Sequence, residues 1–135
     1  MLNAIQTALS GLAASVKRVD ASAQNIANSR TSGSLIDAEN SPYTPVTTVQ
    51  QAQGENTGGG VTAENIPIDQ PFVPAFDPDS PFANAEGLVG APNVNLAAEA
   101  VNLITAEVAY KANVSVIETA SEMSGELLDL LDTDD

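Results

Sequence analysis

The chain has 135 residues, enough for one modest domain, but only 4% are aromatic and none is tryptophan, so the large anchors of a thick globular core are missing. Eighteen acidic residues against four basic ones (Lys17, Arg18, Arg30 and Lys111) give a net charge of −14, which excludes a nucleic-acid footprint and disfavours anionic membrane surfaces. Cysteine and histidine are absent, removing disulfides, thiolate chemistry, the commonest general base and the commonest metal ligand.

Residues 1–28 predict a long helix. Leu2, Ile5, Leu9, Leu12, Val16, Val19, Ala23 and Ile26 follow strict 3-4 spacing and wind one apolar seam along it. At about 1.5 Å per residue the helix spans about 40 Å. Gly11 is its one weak position, by roughly 1 kcal/mol relative to alanine. A lone helix cannot bury such a seam. Core packing within a helical domain and pairing with other chains both fit the period. The segment has no basic leading stretch and no continuous apolar run, so it reads neither as a cleaved secretion signal nor as a membrane span.

The middle region, residues 29–92, breaks the helical period. SRTSGSLIDAENSP (29–42) reads as a mobile loop. Residues 43–51 and 61–68 are β-prone, and Gly58-Gly59-Gly60 between them offers a turn, which predicts a small hairpin with Pro45 and Pro67 confined to its ends. Residues 69–92 carry prolines at 71, 74, 78, 81 and 92, which predicts an extended, irregular connector rather than a sheet. Phe72, Phe76 and Phe82 are expected to dock that connector onto something apolar.

Helical period returns in residues 93–135. Leu96, Ala100, Leu103, Tyr110, Val114 and Ile117 form a stripe flanked by Val101, Ile104 and Val108, resuming at Ala120, Met123, Leu127, Leu128, Leu130 and Leu131. Asn93 or Asn95 is placed to cap this helix after Pro92, with Glu99 favourable near its positive pole. Roughly 36 residues give about 54 Å. Gly125 is a weak point, and the acidic end (Glu126, Asp129, Asp132, Asp134, Asp135) opposes the macrodipole, so it is expected to fray unless a donor-rich partner meets it.

Sites of chemistry are poorly supported. Asp77, Asp79 and Glu86 do not match an EF-hand loop, because Pro81 and Phe82 stand where a ligand and glycine are needed. The sequon Asn113-Val114-Ser115 lies inside a predicted helix, and the triple glycine lacks the Gly-Lys-Ser/Thr of a phosphate loop. No cofactor is called for. The fold class is mainly α: two long terminal helices pairing as a coiled-coil-like module, with a small β-hairpin and a proline-rich connector between them.

Two blocks are more specific. Ala23-Gln24-Asn25-Ile26-Ala27-Asn28 closes the first helix; Pro92-Asn93-Val94-Asn95, followed by Glu99, Ile104, Ala106, Tyr110, Ala112 and Asn113, opens the last. Together with the connector FDPDSPFANAEGLVGAPNVN they resemble the flagellar rod and hook family of axial proteins, and the short length is similar to its proximal rod members. The chain departs from the family pattern at Tyr43-Thr44-Pro45, where an aromatic and basic residues are usual, and at Phe76 and Leu88, where tyrosines are common. The resemblance implies a structural subunit of the bacterial flagellar basal body, exported by the flagellar export apparatus without cleavage. It implies a rod that spans the periplasm as a hollow, torque-transmitting shaft built from copies of this chain and other rod subunits.

The expected assembly interface is then Leu2, Ile5, Leu9, Leu12, Val16, Val19 and Ile26 with Leu96, Val101, Leu103, Ile104, Val108, Tyr110, Val114 and Ile117. Asn25, Asn28, Asn93 and Asn95 are expected to satisfy backbone groups where helices meet loops. A cytosolic coiled-coil adaptor is the alternative; it leaves the asparagine blocks and connector without a purpose. An enzyme would have to rely on carboxylates alone.

Overall fold

The computed structural model describes residues 2–54 and 58–132. Helix α1 (Leu2–Asn28) is followed by strands β1 (Val46–Ala52), β2 (Val61–Pro67), β3 (Phe72–Phe76) and β4 (Leu88–Pro92), and helix α2 (Leu96–Asp132) ends the described chain. The two helices run antiparallel: Ser22 and Asn25 near the end of α1 meet Glu99 near the start of α2, while Gly11 meets Asn113 further along.

The contact face is built from small residues. Ala8, Ala14, Ser15, Ala21, Ser22 and Asn25 are the buried residues of α1, and Ala106 and Ala120 those of α2. On α1, positions 8, 11, 15, 18, 22 and 25 follow their own 3-4 spacing, one residue ahead of the apolar seam and so about 100° around the helix from it. Gly11 lies on this row. A Cβ there would stand 2.6 Å from Asn113 Oδ1, so the glycine that looks like a weak point in the sequence makes room for the opposite helix.

The predicted hairpin forms as β1 and β2, antiparallel from Val46↔Pro67 to Ala52↔Val61. Gly58, Gly59 and Gly60 all have positive φ, which glycine adopts without steric cost. The hairpin lies on α1: Val61 N–H donates to Ser10 Oγ (3.0 Å) and Asn65 Nδ2 to the Lys17 carbonyl (3.2 Å).

The proline-rich connector is a sheet after all. Strands β3 and β4 pair antiparallel from Phe72↔Pro92 to Phe76↔Leu88. Pro74 faces Gly90, whose N–H and carbonyl are both turned to the other side, bonded to Gly33 at 2.8 and 3.0 Å. Pro74 therefore occupies a non-bonded pair where its missing donor costs nothing, and Pro78 and Pro81 fall in the connecting loop. The Gly33 bridge also ties the 29–42 loop to β4, with Gly90 closed in by Pro42 and Leu35. Phe72 and Phe82 are half-buried, but Phe76 is 74% exposed, so it does not dock the connector within the chain.

Asn95 caps α2, its Oδ1 accepting the N–H groups of Ala97 (3.0 Å) and Ala98 (3.1 Å). Asn93 instead holds the hairpin: its N–H donates to the Pro71 carbonyl and its Nδ2 to that of Gln70. Asn28 bonds back to the Gln24 carbonyl within its own helix. The last of the asparagines, Asn25, is 2% exposed and joins three elements. Its Nδ2 donates to the Val46 carbonyl (2.8 Å) and Glu99 Oε1 (2.7 Å), and its Oδ1 accepts from Val46 N–H (3.0 Å) and the Tyr43 hydroxyl (3.1 Å). Ser22 Oγ donates to the other Glu99 oxygen at 2.7 Å.

Removing Asn25 strands several of these groups. Asn25→Ala is expected to lower unfolding stability by roughly 2–4 kcal/mol, from the loss of buried bonds including one to a carboxylate; chemical denaturation followed by circular dichroism measures this, and a loss below about 0.5 kcal/mol would contradict the knot's role.

Burial, and then repulsion from Glu99, raise the Tyr43 hydroxyl above its ordinary phenol value. The folded protein thus favours the neutral phenol, and this contribution is complete below the unfolded value of about 10 and is lost as pH climbs through the higher folded one. Melting temperature should fall above pH 10 in the natural chain, and Tyr43→Phe should make that fall shallower.

Candidate assembly surface

With small side chains turned inward, the large ones are left outside. On α1, Leu2, Leu9, Val16 and Val19 are 77, 59, 47 and 38% exposed, while Ile5, Leu12 and Ile26 are half-buried. On α2, Leu96, Val101, Ile104, Val108 and Tyr110 are exposed, and Leu103, Val114 and Ile117 half-buried. Beyond them Met123, Leu127, Leu128, Leu130 and Leu131 are also more than half exposed.

The total accessible surface of 9058 Å² compares with about 6,600 Å² for a folded monomer of this mass. Monomeric soluble proteins rarely leave contiguous apolar patches beyond a few hundred Å². The exposed seam is therefore the candidate interaction surface of this molecule.

Two apolar grooves follow the line where the helices meet. One, of about 440 Å³, lies between Ala4 and the Val116–Met123 stretch; the other, of about 290 Å³, is bordered by Val16, Val19, Ala106 and Tyr110. A third recess differs in character. It is a polar cleft of about 530 Å³ at the Asn25–Glu99 knot, lined also by Arg18, Thr47, Asn93 and Asn102.

The structure brings the two asparagine blocks together. Asn25 and Asn28 end α1 where Pro92, Asn93 and Asn95 lead into α2, with Pro92 buried, Ile26 and Val94 half-buried and Ala27 exposed. The Asn25–Glu99 bond between the blocks was not legible as such. Its signal is the row of small and polar residues at positions 8, 11, 15, 22 and 25, overshadowed by the stronger seam beside it.

Among the described residues the one ion pair joins Lys111 to Glu107, and no group of three or more acidic side chains is placed to hold a metal ion. The ion pair is fully in solvent; its hydrogen bond and charge hold Glu107 below the usual carboxylate range. Asp77 and Glu86 lie at the ends of the β3–β4 loop, whose turn is formed by Asn84 Oδ1 accepting from Glu86 and Leu88 N–H. Among the described residues no helix is long and apolar enough to cross a membrane.

Residues 85–130 match the family described as flagellar basal body rod FlgEFG protein, C-terminal. This segment contains β4, the Pro92–Asn95 block and nearly all of α2. Over 126 residues the chain is 36% identical to the flagellar basal-body rod protein FlgC of Salmonella typhimurium, covering 91% of this chain and 92% of that one. It is 31% identical to FlgC of Agrobacterium fabrum over 125 residues, 90% and 88% of the two chains. With FlgC of Bacillus subtilis it shares 30% over 144 aligned positions, 95% and 96% of the two chains. An open pair of helices with outward-facing apolar seams, and likeness to these rod proteins across nine-tenths of its length, together place the chain in the FlgC family of flagellar basal-body rod proteins, structural subunits of the basal body rather than enzymes.

Proposed function

We infer that the chain builds the proximal rod, assembling through its two terminal helices with copies of itself and with other rod subunits into a hollow shaft that carries motor torque. The observation that supports this reading is the inversion of size across the helix pair: alanine, serine and glycine inside, leucine, isoleucine and valine outside. A free chain gains nothing from those outward side chains. In an array each seam is covered by a neighbouring helix, in the 3-4 packing of coiled coils, and the contact repeats without closing on itself.

The same reading carries the export route. The chain reaches the growing rod through the flagellar export apparatus without loss of a signal segment, and spans the periplasm as part of the rod. Ordering of its thinly packed helices is completed when neighbours cover them, as in coupled folding and binding. The cytosolic adaptor falls with the family assignment.

Leu9→Asp and Ile104→Asp test the interface, because both side chains are well exposed and neither change touches the intrachain face. Helix content of the purified variants should match the natural chain. Each loses a contact on the order of 1.5–3 kcal/mol in every subunit, so the variants should be missing from detergent-washed basal bodies and the cells non-motile. Recovery of either variant at the natural ratio to the other rod subunits, in motile cells, would overturn the assignment.

A further inference from the structure

The charge on this molecule is unevenly spread along the helix pair. Residues 112–135 contain no lysine or arginine, and Glu118, Glu122 and Glu126 follow one another at i, i+4 on an exposed row of α2. Like charges at that spacing destabilise a helix, and here they approach its negative pole. Leu127, Leu128, Leu130 and Leu131 beside them are exposed.

About 40 Å away along α2, at the other end of the helix pair, Arg18 borders the polar cleft. It is half-buried and has neither an ion pair nor a hydrogen bond among the described residues. Glu99 shares the cleft but is engaged elsewhere: Oε1 accepts from Asn25, and Oε2 from Ser22 and Asn102. Lys17, next in the chain and exposed, adds a second cation at the same end.

We propose that this cleft receives the acidic C-terminal stretch of α2 from a second copy of the chain, with the Arg18 guanidinium binding the carboxylate of Glu122 or Glu126. The inference rests on the assembly reading above and names one contact within it. Cleft and acidic row lie at opposite ends of a continuous helix of 37 residues, so a copy cannot fill its own cleft. The contact is head to tail and leaves a free cleft at one end and a free row at the other, which extends the array. A guanidinium takes a carboxylate through paired hydrogen bonds, and the partner charge relieves both the repulsion along the row and the opposed pole. The other acidic segment, the loop with Asp77, Asp79 and Glu86, is the competing source.

The chain contains no cysteine, so single cysteines report position directly. Full-length chain with Thr47→Cys at the cleft is mixed with full-length chain carrying Gly125→Cys, a position with open space around it, and lightly oxidised. A mixed disulfide dimer is expected, and little product when the second chain carries Asn84→Cys instead. Adding Arg18→Glu, or the milder Arg18→Gln, to the first chain should cut the yield about tenfold, the scale of one charge-assisted contact. Glu122→Arg with Glu126→Arg in the second chain should restore it against Arg18→Glu, with circular dichroism confirming folded chains throughout. Absence of the 47–125 product, equal product with Asn84→Cys, or a yield indifferent to Arg18 would each overturn the contact. The assembly reading itself stands or falls on the Leu9 and Ile104 variants, so the two failures are distinguishable.

Discussion

Asn25 offers two donors and two acceptor positions, and each is taken by a different group: the Val46 carbonyl, Glu99, the Val46 N–H and the Tyr43 hydroxyl. Helix α1, the start of the first hairpin and the first turn of α2 are thereby fixed to one buried side chain. The dependence follows from how little else holds them. The contact between the helices is alanine, serine and glycine, and a methyl group buried in place of a leucine forgoes most of the 1.5–3 kcal/mol that a large side chain contributes. Such a face permits close approach but selects no register. Directional bonds supply that selection, since a shift of one residue along the helix would leave a buried amide and a carboxylate unpaired.

The same economy of packing explains the outer surface. Small residues inside and large ones outside leave the subunit poor in its own burial and rich in surface for others, which suits a subunit of a larger assembly. The hairpins serve that plan from opposite sides. The β1–β2 pair lies along α1 and is bonded to Ser10 and the Lys17 carbonyl. The β3–β4 pair is held by Asn93 at its base and by the Gly33 bridge at its edge, so it delivers the chain to the Asn95 cap at a fixed point.

Much of this was legible in the sequence. Both helices, the first hairpin with its glycine turn, and the cap at Asn95 follow from period, turn residues and capping chemistry, and the two asparagine blocks led to the family. What was hidden has specific causes. Prolines in residues 69–92 argued against a sheet, yet a two-stranded ribbon has outward positions where a missing N–H matters to nothing, and Pro74 occupies one. The seam was read correctly as a period, but a second period one residue earlier, made of small residues, forms the intrachain contact. That row is smaller and more polar than the seam beside it, which is why a search for apolar period passes over it. Gly11 belonged to the second row and so looked like a defect of the first.

Net charge and apolar seams act over different distances, and this bears on how such a subunit stays free until it is needed. A charge of −14 repels like copies, but in physiological salt that repulsion fades beyond about 8 Å. Apolar burial begins only when surfaces touch and water is expelled. Between these ranges two free copies meet a barrier before they meet an attraction. On the assembly proposed above, a growing end that already presents ordered seams, and cations where an incoming chain is acidic, would lower that barrier at one place only. On the proposed head-to-tail contact the scarcity of basic residues has a structural consequence: the few cations on the helix pair would choose the direction from which a neighbour approaches, and the apolar seams would hold it once it had arrived.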